Sequence, residues 1–427
     1  MTQVKQNAQD ARNASIQMAA MTTEMKNKAL REIAKQILAE KDRIIAANKK
    51  DMTLAEQTKL ASPLQKRLLF DDKKINSVVE GIYDLENLQD PVGQILLATE
   101  LDKGMELNKV SCPFGVIGII FESRPDALVQ IASLCLKAGN AVLLKGGTEA
   151  ANTNKVLEEI ISKAGTSSGL PEKWIQLLET REQVKEMLDQ SQYIDLLIPR
   201  GSNEFVTYIM KNTNIPVLGH ADGVCHLYIH EQADREMAIR LAIDSKTESV
   251  SVCNAAETIL IDEKIAAGIL PELAKLLREK NVVLYGCEKT KEILDSVETI
   301  EDWHCEYLDY AVSIRIVDDL DAAVKHINTY GSGHTDSIVT KDKDIAKTFM
   351  RIVDSGNVFW NCSTRFSDGF KYGFGAEVGV STSKLHARGP VGLEGLVTYK
   401  YLIFGNGQIV KDYADGKAVF THNPISL

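Results

Sequence analysis

Apolar residues recur at helical spacing early in the chain. Leu30, Ile33, Ile37 and Leu38 form one stripe, and Ile44 and Ile45 carry it on. This spacing predicts two amphipathic helices within 7–58, suited to covering a sheet. From residue 113 the period changes. The run Pro113-Phe-Gly-Val-Ile-Gly-Ile-Ile-Phe121 is apolar and rich in β-branched residues, which predicts a buried strand. Helices over 126–137, 148–163 (stopped near Gly165), 182–189 and 202–210 then alternate with strands over 141–145, 174–178, 194–198 and 215–218. A second stretch has strands over 226–230, 257–261, 282–285, 312–316, 337–339 and 358–360, with helices over 233–245, 265–280, 320–328 and 343–353. Such alternation implies parallel sheets covered on both faces.

Two segments break the pattern. Residues 95–111 set Asp102-Lys103-Gly104 between extended runs, which predicts a β-hairpin. Residues 401–410, with Gly405-Asn406-Gly407, predict a strand and turn. Edge strands of this kind often pair across subunits, so a homo-oligomer is expected. The expected architecture is α/β: two parallel-sheet α/β domains, 1–94 with 113–225 and 226–395, plus a β-hairpin oligomerisation element of 95–112 with 401–427.

Charge and cysteine usage narrow the function. The net charge of −10 over 427 residues argues against a nucleic-acid partner, because phosphate backbones are held by excess Lys and Arg. A few cations in a cleft still suffice for a small anion. No apolar run approaches the roughly 20 residues that cross a bilayer, and the N-terminus lacks a signal peptide's apolar core. The seven cysteines are scattered without a C-x-x-C pair. That pattern leaves no zinc or redox motif and no expected metal, and it fits a cytoplasmic protein.

Two predicted strand-to-helix junctions are rich in small residues: Lys145-Gly146-Gly147-Thr148 and Arg200-Gly201-Ser202. Small residues let backbone approach a phosphate, and free helix N–H groups stabilise its charge. Neither is a G-x-G-x-x-G fingerprint, and each is also readable as an ordinary turn. Between a predicted helix and strand lies Ser251-Val-Cys-Asn-Ala255. Cys253 there is a candidate nucleophile, with backbone N–H groups and Asn254 at hand for an oxyanion. The alternative is a buried, inert thiol.

Cys253 and its neighbours, taken with the two junctions, resemble the aldehyde dehydrogenase superfamily. The closer resemblance is to its acyl-phosphate-reducing branch, the gamma-glutamyl phosphate reductases. The segments that carry it are 112–125, 144–147, 251–255, Gly331-Ser-Gly-His-Thr-Asp336 and 377–390, in family order across most of the chain. The resemblance implies an aldehyde-dehydrogenase-like fold with a cofactor domain, a catalytic domain and an oligomerisation hairpin. It implies that Cys253 is the nucleophile, with Asn254 and Ser123 near the developing oxyanion. Lys145, Gly146, Gly147, Arg200, Gly201 and Ser202 are the expected cofactor-binding residues. Arg124, Asn361, Ser363 and Arg365 are the expected substrate-binding residues, with Arg388 a further candidate, although each Arg is also readable as a structural ion pair.

Departures from the wider superfamily sharpen the expectation. NAD-dependent relatives often place a Glu three residues after the Lys; here that residue is Thr148 and the acid is Glu149. A missing carboxylate favours NADP(H). Hydrolytic relatives carry a water-activating Glu where this chain reads Val217-Leu-Gly-His-Ala-Asp222, which favours a thioester that exchanges with phosphate. The implied reaction is NADPH-dependent reduction of L-glutamyl 5-phosphate to the semialdehyde in proline biosynthesis, with a glutamate 5-kinase as a candidate partner. The competing readings are an NAD(P)-dependent aldehyde dehydrogenase that hydrolyses its thioester and a non-catalytic paralogue.

Overall fold

The computed structural model describes residues 2–122, 124–220 and 222–427. Strands β1 (Ile95–Asp102) and β2 (Met105–Pro113) form the antiparallel hairpin. Strands β3 (Val116–Phe121), β4 (Ala141–Lys145), β5 (Ile175–Leu178) and β6 (Leu196–Arg200) form a parallel sheet in the order β5-β4-β3-β6. Every residue of β3 and β4 is buried, which is why both read as unbroken apolar runs rather than alternating ones.

A second parallel sheet holds β7 (Cys225–Ile229), β8 (Ala256–Asp262), β9 (Val283–Gly286), β10 (Glu298–Thr299), β11 (Ala311–Val317), β12 (Thr335–Val339) and β13 (Asn357–Trp360). Its order is β10-β9-β11-β8-β7-β12-β13. A short antiparallel pair, β14 (Gly379–Ser381) and β15 (Gly389–Val391), follows. Strands β16 (Val397–Phe404) and β17 (Asn423–Pro424) flank the hairpin as β16-β2-β1-β17. The tail therefore completes a sheet with its own chain's hairpin. Among the described residues no helix is long and apolar enough to cross a membrane.

The helical N-terminus differs from the expectation of two helices within 7–58. Three are present, Gln3–Met18, Thr23–Ala39 and Lys41–Gln57. The first buries Val4, Ala8, Ala11, Ala14 and Met18, an alanine-rich face with weak apolar contrast. Thr22, whose hydroxyl accepts from Met25 N, caps the second and sets the break. The helix Asp72–Asn87 was not expected. The strand expected over 215–218 is reduced to a single bridge between Leu197 and Val217, next to Pro216, which has no N–H for a ladder.

The helix expected to stop near Gly165 runs Ala151–Ser167 and ends just past it. A Cβ on Gly165 would sit 2.8 Å from both Trp174 Nε1 and Leu170 Cδ1, so glycine permits close packing. The first sheet and the N-terminal helices share one large core, and the second sheet has its own on each face.

Candidate active site

The two sheets present opposite edges. Lys145 and Arg200 end β4 and β6 at the C-terminal edge of the first sheet, where open parallel sheets usually bind ligands. Gly223, Cys253 and His334 precede β7, β8 and β12 at the N-terminal edge of the second. Contacts join the edges. Arg200 Nη1 donates to Glu377 O at 3.3 Å, and Asn203 Nδ2 donates to Asp222 and to Glu306, the latter at 2.9 Å.

Cys253 is half-buried in a turn closed by Ala255 N donating to Val252 O. Burial pushes its thiol up to about 12, with Glu306 and Glu377 adding to the rise and Arg200 opposing it. A neutral resting thiol follows, so nucleophilic attack needs a proton acceptor. Gly223 is packed against this turn: a Cβ at 223 would lie 2.6 Å from both Cα and Cβ of Cys253. Gly223→Ala should therefore displace the thiol and lower turnover by about 100-fold, the scale of a 1 Å misplacement. Steady-state kinetics with a thiol count on the folded variant checks this; unchanged kcat refutes the packing argument.

His220 and His334 complete the group around Cys253. Their ring centroids are 4.9 Å apart. His220 Nδ1 is 2.8 Å from Val380 O. A carbonyl only accepts, so Nδ1 carries the hydrogen and Nε2 the lone pair. Burial holds both imidazoles below their usual pKa, and hence neutral at pH 7. His334 Nδ1 lies 2.8 Å from Thr335 Oγ1.

The expected residues separate into distinct places. Asn254 Nδ2 donates to Ser367 O at 2.8 Å, tying the Cys253 turn to the segment after β13. Its donor is thus engaged by backbone. Ser123 lies outside the described residues. Arg200 was expected at the cofactor phosphate, yet the charges that act on it are Arg124, Glu377, Cys253 and Asp126. Arg124 pairs with Asp126 at 2.7 Å and stays partly exposed. Asn361 bonds the backbone of Thr340 through both side-chain atoms, at 2.9 and 3.0 Å. Ser363 Oγ accepts from Ser245 Oγ at 3.2 Å and from Arg365 N at 3.3 Å. Arg365 pairs with Glu248 at 2.7 Å, and Arg388 with Asp354 at 3.0 Å. These four brace the second sheet's surroundings.

The first Gly-rich junction is a concave turn. A Cβ on Gly146 would run into Asn154, and one on Gly147 into the Glu149 carboxylate. Lys145 Nζ donates to Gly146 O, and burial lowers its pKa, with Glu149, Arg181 and Glu122 as the charges nearby. Burial raises Glu122, with Arg181, Arg67 and Lys145 opposing. Gly201 joins this end, since its Cβ would sit 3.1 Å from Glu122 Cδ. Ser202 is the N-cap of helix Asn203–Lys211. Glu149, one residue past the expected carboxylate position, folds back onto Gly147.

His334, Glu306, Glu377 and Gly223 were not singled out as site residues by sequence reasoning. They lie between positions 223 and 377 without a common motif, and only the strand order brings them together.

This fold and this cysteine-centred junction define an aldehyde-dehydrogenase-type protein. The family model described as "Aldehyde dehydrogenase family" matches residues 1–285. Gamma-glutamyl phosphate reductase of Acetivibrio thermocellus is 60% identical over 99% of this chain and 98% of its own length. Gamma-glutamyl phosphate reductase 1 of Synechocystis is 51% identical, covering 97% of this chain and 96% of its own. The crystal structure of gamma-glutamyl phosphate reductase from Thermotoga maritima superposes with a TM-score of 0.94 at 38% identity, covering 96% of this chain and 100% of that one. The chain belongs to the aldehyde dehydrogenase family and, within it, to the gamma-glutamyl phosphate reductases.

Proposed function

We propose that this protein reduces L-glutamyl 5-phosphate to L-glutamate 5-semialdehyde with release of phosphate, in L-proline biosynthesis, using NADPH. The observation that carries the reading is Cys253, held where the two sheets meet, with Arg200 and the His220 lone pair beside it. In this reading His220 Nε2 takes the thiol proton. The Cys253 sulfur then attacks the acyl carbon, and the phosphate leaves with the bonding pair, giving a thioester. Arg200 offsets the sulfur's charge, and Arg200 with Arg124 supplies cations for the departing phosphate. Cys253 leaves as a thiolate when the aldehyde forms. A glutamate 5-kinase would supply the acyl phosphate in the cytoplasm.

The concave turn at Gly146 and Gly147 suits a nucleotide diphosphate, with Lys145 and Ser202 at its rim. The cofactor bound there supplies the hydride. Lys145 and Arg181 favour a 2′-phosphate, whereas Glu122 and Glu149 oppose it. Lys145→Ala is expected to raise the KM for NADPH about 10–100-fold, the worth of one charge-assisted hydrogen bond of ~1.5–3 kcal/mol, and to change that for NADH much less. Equal shifts for the two would remove Lys145 from the 2′-phosphate.

A second reading, hydrolysis of the thioester, is favoured by one observation. Glu377 is a half-buried carboxylate near Cys253 whose pKa is raised by desolvation, as a water-activating base requires. Intact-protein mass spectrometry separates the readings. Supplied with semialdehyde and NADP⁺ but no phosphate, the protein should accumulate a glutamyl adduct on Cys253 that phosphate discharges. No adduct, with continuous turnover, supports hydrolysis. We also assign self-association to the hairpin sheet, where Ile95, Leu97, Tyr399, Tyr401 and Ile403 are exposed.

A further inference from the structure

We propose that His220, Cys253 and His334 form a binding site for a borderline-soft divalent cation, Zn²⁺ by ligand type, whose occupancy withdraws Cys253 from chemistry. The three residues come from separate segments before β7, β8 and β12. One ligand atom from each lies within 4.8 Å of the other two. Both imidazoles have their Nδ1 engaged, by Val380 O and Thr335 Oγ1 respectively. Outer hydrogen bonds of this kind orient metal-bound histidines and leave Nε2 to the metal.

The second observation is an orphan. His334 is fully buried, at 0% exposure, and its Nε2 has no hydrogen-bond partner. A buried polar atom without a partner is costly, and a cation shared with Cys253 and His220 would satisfy it. A thiolate with two imidazoles selects Zn²⁺ over Mg²⁺ or Ca²⁺, which prefer oxygen. Three protein ligands and an open fourth position form a familiar tetrahedral zinc arrangement. On binding, the Cys253 S–H proton passes to solvent, a sulfur–metal bond forms, and each imidazole donates a lone pair. No electron is transferred. Coordination draws off the thiolate's charge, so the bound sulfur is a weaker nucleophile toward an acyl carbon.

The test uses the full chain without substrate or cofactor, so it stands or falls apart from the reductase reading. Co²⁺ serves as the spectroscopic probe. One equivalent should produce a thiolate-to-cobalt charge-transfer band that Zn²⁺ removes. Cys253→Ser should abolish it. His220→Ala and His334→Gln should each weaken binding at least about tenfold, since losing even an outer partner costs about 10–100-fold. A measurement free of folding effects uses the unmutated protein. Zn²⁺ should protect Cys253, but not half-buried Cys112, from iodoacetamide, and a chelator should restore the reaction. Absence of the band, a band that survives Cys253→Ser, or equal alkylation of Cys253 with and without Zn²⁺ overturns the proposal.

Discussion

Cys253→Ser is expected to lower acyl-phosphate reduction by at least about 10⁴-fold, the scale seen when a covalent nucleophile is removed from an intact site. The hydroxyl is a far weaker nucleophile than a thiolate and a poorer leaving group. Its neighbours could not compensate, because among the described residues no carboxylate is hydrogen-bonded to His220 to make it a strong base. Its ring instead bonds a backbone carbonyl, Val380 O. Nicotinamide binding should persist, since Lys145, Gly146 and Gly147 lie at the edge of the other sheet. Single-turnover kinetics and a cofactor fluorescence titration on the same sample check both halves. Residual activity within about a hundredfold of the unmutated rate would exclude the covalent route, whose loss should cost far more.

The largest stability effect is expected at a buried ion pair behind the same cysteine. Lys246 Nζ lies 2.6 Å from Glu257 Oε2, and both side chains are fully buried. Lys246 lies in the last turn of helix Arg235–Thr247 and Glu257 in β8, so the pair ties together the two elements that flank the Cys253 turn in the chain. Lys246→Met should cost ~3–5 kcal/mol, because it leaves a buried carboxylate uncompensated. The pH dependence follows from Glu257, which burial pushes from 4.5 up to about 7 against the pull of Lys246. Between those values the folded protein holds a proton that the unfolded chain has released, so stability falls as pH rises through the window. Without Lys246 the folded pKa rises further, so the penalty of the variant should be greater at pH 8 than at pH 5. Urea unfolding at both pH values measures it. Adding Glu257→Leu should recover most of the loss. A pH-independent change under ~1 kcal/mol would show that the pair does not hold helix and strand together.

The strand framework was legible because burial on both faces makes each parallel strand a compact apolar run, as in 116–121 and 141–145. The N-terminal helices were less legible: an alanine face such as Ala8, Ala11 and Ala14 shows little apolar contrast, so the first helix merged with the second. The Gly146-Gly147 turn was readable because its glycines answer a local need, room beside Asn154 and Glu149. The charges that surround Arg200 were not readable. The residue sits at a Gly-rich junction, but its charge environment is Cys253, Glu377 and Arg124, and sequence proximity says nothing about which sheet edge a long side chain faces. Asn361 and Ser363 stand close to Arg365 in the sequence. Their hydrogen bonds to Thr340 and Ser245 depend on pairings over 21 and 118 residues, respectively. His334 entered only as part of a family segment, because its partners 220 and 253 become neighbours solely through the order β8-β7-β12.

The most direct test of the central claim is the reverse reaction, following NADPH formation from glutamate semialdehyde and NADP⁺ with and without inorganic phosphate. The account predicts NADPH formation that requires phosphate and disappears in Cys253→Ser. Equal turnover without phosphate would contradict it, and would identify a hydrolytic aldehyde dehydrogenase with Glu377 as the first residue to replace.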